Sequence, residues 1–230
     1  MIRRITVFVL CALFSVSLFA GDVAQFIDMG FSSDGLYYMF GQHGIEDSSW
    51  QGYADMYIID VEKNEFVSGG VLSTPPSAAT AGKTGKELFD ALAKKAEPMI
   101  KKYALSVDNN GEDLYIMSED SGKQQIRFRE FGSEKSPGEI WWEVRVNTLL
   151  DEKQKNSSFY LIVDKNEDGA VGQRFLAGSP GVQRKDVSRY NIRRIIPNKT
   201  EAFLVFVMEK EMNTPKGKSI RFMAETLSIR

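Results

Sequence analysis

Two side chains are nearly missing from this sequence. In 230 residues there is one Cys, Cys11, and one His, His43. A single thiol excludes an internal disulfide and a thiolate zinc site, and a single imidazole excludes a multi-histidine metal centre. No Gly-rich phosphate loop and no alternating strand–helix pattern occur, which sets aside a nucleotide-binding α/β fold. His43 stands in Gly41-Gln42-His43-Gly44 without a Gly-x-Ser-x-Gly elbow to pair with, so it reads as a loop histidine rather than a general base. Beyond residue 19 no apolar run reaches the about 20 residues needed to span a bilayer. With 43% hydrophobic and 26% charged residues, the composition is that of a globular chain and not of a disordered one.

The first twenty residues read as an export signal. Arg3 and Arg4 precede an uncharged apolar run, Ile5 to Phe19, and Ala20-Gly21-Asp22 follows. A positive start, an apolar stretch and a small residue at its end form the pattern of a secretory signal peptide, 1–20, with cleavage expected after Ala20. Leu10 before Cys11 does not suit lipidation. Cleavage would remove Cys11, and would take Lys plus Arg from 29 to 27 against 31 Asp plus Glu, a net charge of −4. That balance argues against nucleic-acid binding, which uses a basic footprint. Residues 21–230 are expected to form a single secreted β-rich domain, soluble in the periplasm or outside.

Most of that chain reads as short strands. Leu36–Phe40, Met56–Val61, Glu65–Leu72, Asp113–Met117 and Gln125–Phe131 are rich in aromatic and β-branched residues. Trp142, Val144 and Val146 alternate with Trp141, Glu143 and Arg145, as on a half-buried strand. Ser158–Asp164, Val171–Leu176, Val187–Ile196, Ala202–Met208 and Ile220–Leu227 continue the series. Phe203 to Met208 is apolar throughout, which predicts a strand covered on both faces. One helix is expected. Thr84 and Glu87 have capping-box spacing, and Leu88, Leu92, Ala96, Met99 and Tyr103 follow at helical intervals. Pro98 is expected to kink or restart it. Gly69-Gly70 with Ser73–Gly82 reads as a flexible connection, and Asp108-Asn109-Asn110-Gly111 as a hairpin turn. The fold class is therefore mainly β, with antiparallel sheets and one amphipathic α-helix against them, partly propeller-like or sandwich-like.

Phe31-Ser32-Ser33-Asp34-Gly35-Leu36-Tyr37-Tyr38-Met39-Phe40 with Met56-Tyr57-Ile58-Ile59-Asp60-Val61 resembles one blade repeat of the TolB-like β-propellers. Ile196-Pro197-Asn198-Lys199-Thr200 leading into Phe203–Val207 is similar to a worn second copy that lacks the turn Gly. The chain as a whole resembles a family of predicted secreted bacterial proteins of unknown function, of the kind found in spirochaetes. That likeness rests on Gly30–Gly44, Tyr57–Val61 and Gly178-Ser179-Pro180-Gly181-Val182-Gln183-Arg184-Lys185 with Tyr190-Asn191-Ile192. It implies an exported protein and carries over no catalytic residue.

Asp164-Lys165-Asn166-Glu167-Asp168-Gly169 places oxygen side chains at alternate positions before a Gly, as in the first half of a calcium loop. Phe175 stands where the bidentate Glu of such a loop belongs, so a polar hairpin turn is the favoured reading, and a weak calcium site on Asp164, Asn166 and Asp168 is the alternative. Arg184, Lys185, Arg189, Arg193 and Arg194 form a basic cluster suited to an anion or an acidic partner, against the plainer reading of a solvated strand face. Strand alternation would put Arg189 and Arg193 on one face, with Tyr190 and Ile192 on the other. Trp50, Tyr53, Trp141 and Trp142 are candidates for an aromatic face, and Glu139 and Glu143 for paired carboxylates.

These features favour a non-catalytic binding or envelope-associated module, with an envelope protein or polymer as partner and no required cofactor. A carboxylate-based hydrolase acting on envelope polymers is the alternative, because it needs neither His nor Cys.

Overall fold

The computed structural model describes residues 21–118, 124–129, 140–153 and 155–230. The expected signal peptide, Glu139 and the end of the strand expected to reach Phe131 lie outside these residues.

The chain opens with an antiparallel meander, β1 (Gln25–Phe31), β2 (Tyr37–Glu46), β3 (Gln51–Asp60) and β4 (Glu65–Thr74), which forms sheet I in that order. The turn into β2 follows from its residues. Gly35 has φ 73°, and the Asp34 carboxylate accepts from Ser32 Oγ at 2.5 Å and from the Leu36 amide at 3.0 Å. Sheet I starts earlier than the sequence reading placed it, because β1 precedes the turn. β4 also runs through Gly69-Gly70, where Gly69 takes φ 72° beside a register shift. Pairing with β3 orders that glycine-rich segment as strand rather than linker.

The helix α1 (Gly85–Lys102) begins at the expected capping box. Thr84 Oγ1 accepts from the Glu87 amide at 3.2 Å, while the Glu87 carboxylate accepts from the Thr84 amide at 2.8 Å. Leu88, Phe89, Leu92 and Ala96 bury one face against Met39, Ala54, Met56 and Ile58 of sheet I. The Phe89 ring comes so close that a Cβ on Gly41 would lie 2.4 Å from it. Contrary to expectation, the helix runs through Pro98 without interruption. Pro98 is exposed, so the carbonyl it leaves without a donor lies on the solvent side, where water can bond it.

After α1 the chain contains β5 (Tyr115–Ile116), β6 (Gln125–Arg129), β7 (Trp141–Leu150), β8 (Asn156–Glu167), β9 (Ala170–Ala177), β10 (Arg184–Lys185), β11 (Val187–Pro197), β12 (Phe203–Thr214) and β13 (Gly217–Ser228). The segment expected to be a hairpin turn, Asp108 to Gly111, instead starts in a 3₁₀ turn capped by Ser106. A helix, not a strand, precedes it, so there is no partner for a hairpin. Sheet II has the order β13-β12-β11-β5, and sheet III the order β10-β8-β7-β6 with β9 also on β8.

The sheets and helix stack as layers. Leu204, Phe206 and Met208 of β12 pack with Trp142, Val144, Phe159, Leu161 and Val163 of sheet III. The alternate residues Phe203, Val205 and Val207 pack with Phe31, Tyr38, Phe40 and Ile59 of sheet I. Sheet II is thus covered on both sides, as the unbroken apolar run of β12 predicts. The architecture is mainly β, antiparallel and sandwich-like, with α1 on the outer face of sheet I. Val23 adds a short parallel bridge to Ile220 beside β13, so the start of the described chain is tied to its last strand.

Candidate functional site

The five basic residues of the 184–194 cluster do not converge. A bulge in β11 between Ile192 and Arg194 breaks the even alternation expected there. Arg194 therefore points toward sheet I, where Nε and Nη2 donate to Asp113 at 2.8 and 2.9 Å and Nη1 donates to Asp28 at 2.8 Å. Arg193 pairs with Glu209 at 3.7 Å. Lys185 is 85% exposed and reaches Asp186 at 3.9 Å. Arg189 is exposed. Arg184 lines a cavity.

The residues of the calcium-like motif have other partners. Asp164, 2% exposed, accepts from Arg145 Nη2 at 2.6 Å and from Arg174 Nε and Nη2 at 2.6 and 3.0 Å. Those guanidiniums hold its carboxyl below the usual carboxylate range, with the Arg174 bond the largest cause. Asn166 donates to the Trp141 carbonyl at 3.3 Å. Asp168 and Gly169, with φ 50° and 83°, form the two-residue turn between β8 and β9.

The aromatic candidates also separate. Trp142 is core, while Trp141 on the opposite face has the guanidiniums of Arg127 and Arg129 each 5.0 Å from its ring. Trp50 is 79% exposed in the β2–β3 turn, and Tyr53 is buried beneath Arg221. His43 lies within β2 rather than in a loop, its ring 5.4 Å from Phe89. Burial, and secondarily Lys86, pushes its pKa down. Glu143 is 3.6 Å from Arg145.

A cavity of about 450 Å³ lies at the β13 edge of sheet II, where the β3–β4 turn and the β9–β10 connection meet it. One wall is a row of rings across sheet I. Phe40 and Tyr57 stack at 4.9 Å, and Tyr57 and Phe66 lie 5.5 Å apart. Phe222, Met223 and Ala224 of β13 line it further. The polar side is Asn64, Glu65, Ser179, Arg184, Lys210 and Glu225.

Each polar group has a definable state. Asn64, at the left-handed φ of 55° in the β3–β4 turn, donates from Nδ2 to Glu225 at 2.6 Å. Burial pushes the Glu225 pKa up, against the pull of Asn64 and of Arg184 at 3.6 Å. The Arg184 guanidinium lies 5.1 Å from the centre of the Phe159 ring and 5.8 Å from that of Tyr190, and donates to the Val182 carbonyl at 3.2 Å. The Lys210 side chain has no hydrogen bond or ion pair among the described residues. Burial pushes its pKa down to about 8, and Arg184 and Arg221 add to the shift. Burial also pushes Tyr57 up to about 12.

Sequence reasoning found Arg184 but missed Lys210, Glu225 and Asn64. For Lys210 and Glu225 the one local signal was charge in an otherwise buried strand: Lys210 follows the apolar run of β12, and Glu225 sits among the buried residues of β13. A cavity where polar groups, one of them strongly perturbed, converge beside a row of aromatic rings has the ingredients of a small-ligand site.

Fold and site thus define a layered antiparallel β protein with a mixed-charge cavity at a sheet edge. The chain belongs to the family described as "Predicted secreted protein (DUF2259)", which matches residues 39–228. No curated protein and no solved structure matches it. Among the described residues no helix is long and apolar enough to cross a membrane.

Proposed function

We propose that this chain is an exported, non-catalytic binding module that holds a small ligand in the cavity at the β13 edge. The observation that carries the reading is the cavity itself. About 450 Å³ bounded by a row of three rings on one side and by Arg184, Lys210 and Glu225 on the other is within the size range of ligand pockets. Export rests on the family description and on the charged-then-apolar start of the sequence. His43, the single imidazole, lies against α1 and does not line the cavity.

The test uses the chain from residue 21 onward, immobilised and exposed to an extract of its native cell envelope. Small molecules released on denaturation are identified by mass spectrometry for the wild type and for Ser179→Trp, which fills the cavity from its loop side. A compound enriched on the wild type and lost on Ser179→Trp is expected. Equal recovery from both proteins would remove the cavity as the binding site.

A second reading is supported by Lys185 and Arg189. Both are exposed, and they suit an acidic envelope protein or polymer. Charge reversal of Arg189 would then abolish crosslinked capture of that partner while leaving ligand recovery unchanged.

A further inference from the structure

We propose that the ligand of this cavity is a small amphipathic monoanion, a carboxylate on an aromatic or short apolar body, with Lys210 as the group that receives its charge. The inference rests on the cavity reading above and adds to it the chemistry of the occupant.

The argument starts from an imbalance. Arg221, directly opposite Lys210 on β13, is satisfied: it donates to both Asp22 oxygens at 2.7 and 2.8 Å. Asp55, the acid that favours the charged form of Lys210, already accepts from Gln42 at 3.1 Å and from Ser73 at 2.5 Å. Lys210 is left as a half-buried ammonium lining the cavity, with two guanidiniums acting on it and no counter-ion in contact among the described residues. A partly desolvated cation facing a cavity favours an occupant that brings the opposite charge beside it. Arg184 adds donors to the same cavity, since among the described residues only the Val182 carbonyl takes one of them within hydrogen-bond distance. Two acids also line the site. Glu225 is held by Asn64, and Glu65 is exposed on the rim, where solvent screens it. Arg184, Lys210 and Glu225 together carry one net positive charge when all are ionised, which one carboxylate neutralises. The row Phe40–Tyr57–Phe66 supplies the surface for the apolar body.

The probes are 4-phenylbutyrate, 4-phenylbutanol and 4-phenylbutylamine, which share a body and differ in the charge of the head. Their binding to the wild type, Lys210→Met, Lys210→Arg and Ser179→Trp is measured by titration calorimetry. One charge-assisted contact predicts that the carboxylate binds the wild type about tenfold tighter than the alcohol. The amine should bind weakest. The preference should fall below about threefold in Lys210→Met and return in Lys210→Arg, and Ser179→Trp should bind none of the three. Three probes binding alike would overturn the monoanion, and a preference that survives Lys210→Met would overturn Lys210 as the group receiving its charge; either outcome leaves the cavity reading in place. Binding unchanged by Ser179→Trp, or no binding by any probe, would overturn both. Circular dichroism confirms that each variant is folded, and the Lys210→Arg rescue separates loss of charge from loss of structure.

Discussion

Asn64 and Glu225 are 161 residues apart in sequence, yet the Asn64 amide donates to the Glu225 carboxylate at 2.6 Å, while the Asn64 carbonyl oxygen accepts from the Thr226 amide at 2.9 Å. One side chain thereby fastens the β3–β4 turn of sheet I to the edge of sheet II and fixes the acid that lines the cavity. Asn64→Gly keeps the left-handed backbone and deletes both bonds. It should destabilise the protein by about 1–3 kcal/mol in urea denaturation. It should also raise the Glu225 pKa further, because the bond it removes is one that lowers it. Carbon-13 titration of the carboxyl reads that shift directly.

Lys210 should make stability rise in mildly alkaline solution. Its folded pKa of about 8 lies below its ordinary 10.5. Between these values the unfolded chain binds the proton and the folded chain does not, so this group's contribution to stability increases with pH across that window. Below about pH 8 the burial penalty is present in full. Lys210→Met should therefore raise the melting temperature at pH 7, with a gain of about 2 kcal/mol. The gain should shrink as the pH approaches 10. A gain independent of pH would show that Lys210 titrates normally.

Arg194 joins β11 to β1 and to the segment before β5 through three bonds of 2.8 to 2.9 Å. Removing it leaves Asp28 and Asp113 without their cation. Arg194→Met should cost about 3 kcal/mol in chemical denaturation. Asp113→Asn in the same background should recover part of that loss, since it removes one of the two stranded charges.

Asp164 gives a calcium prediction opposite to that of its motif. Its carboxylate is already bonded to Arg145 and Arg174, and calcium would have to displace both. The melting temperature should be the same in calcium and in chelator. Arg174→Gln should leave it calcium-independent and lower it modestly, because Arg174 is half exposed. A calcium-dependent rise in the wild type would restore Asp164, Asn166 and Asp168 as a metal site.

Much of the fold was legible because it depends on local periodicity. The capping box at Thr84 and Glu87, the two-sided apolar run of β12 and the opposite faces of Trp141 and Trp142 were all read from spacing of one to four residues. The errors arose where a local rule met a tertiary context. Pro98 sits within a helix that sheet I holds along its buried face, and the glycines of β4 are held by pairing with β3. His43 looked like a loop residue because the expected strand ended at Phe40, but β2 continues through to Glu46.

That the chain is mainly β with one amphipathic helix, and which faces of its strands are apolar, is written in the order of its residues. Those properties follow from side-chain alternation and capping, which act over a few residues. Which charges meet was set by the packing of the sheets. A bulge in β11 turned Arg194 away from its neighbours and into a network with Asp28 and Asp113. The stacking of sheets I, II and III brought Asn64, Arg184, Lys210 and Glu225 to one cavity. Electrostatic partnership depends on distances of a few ångströms between residues far apart in the chain. No local spacing encodes those distances, and the candidate site emerged from packing rather than from a motif.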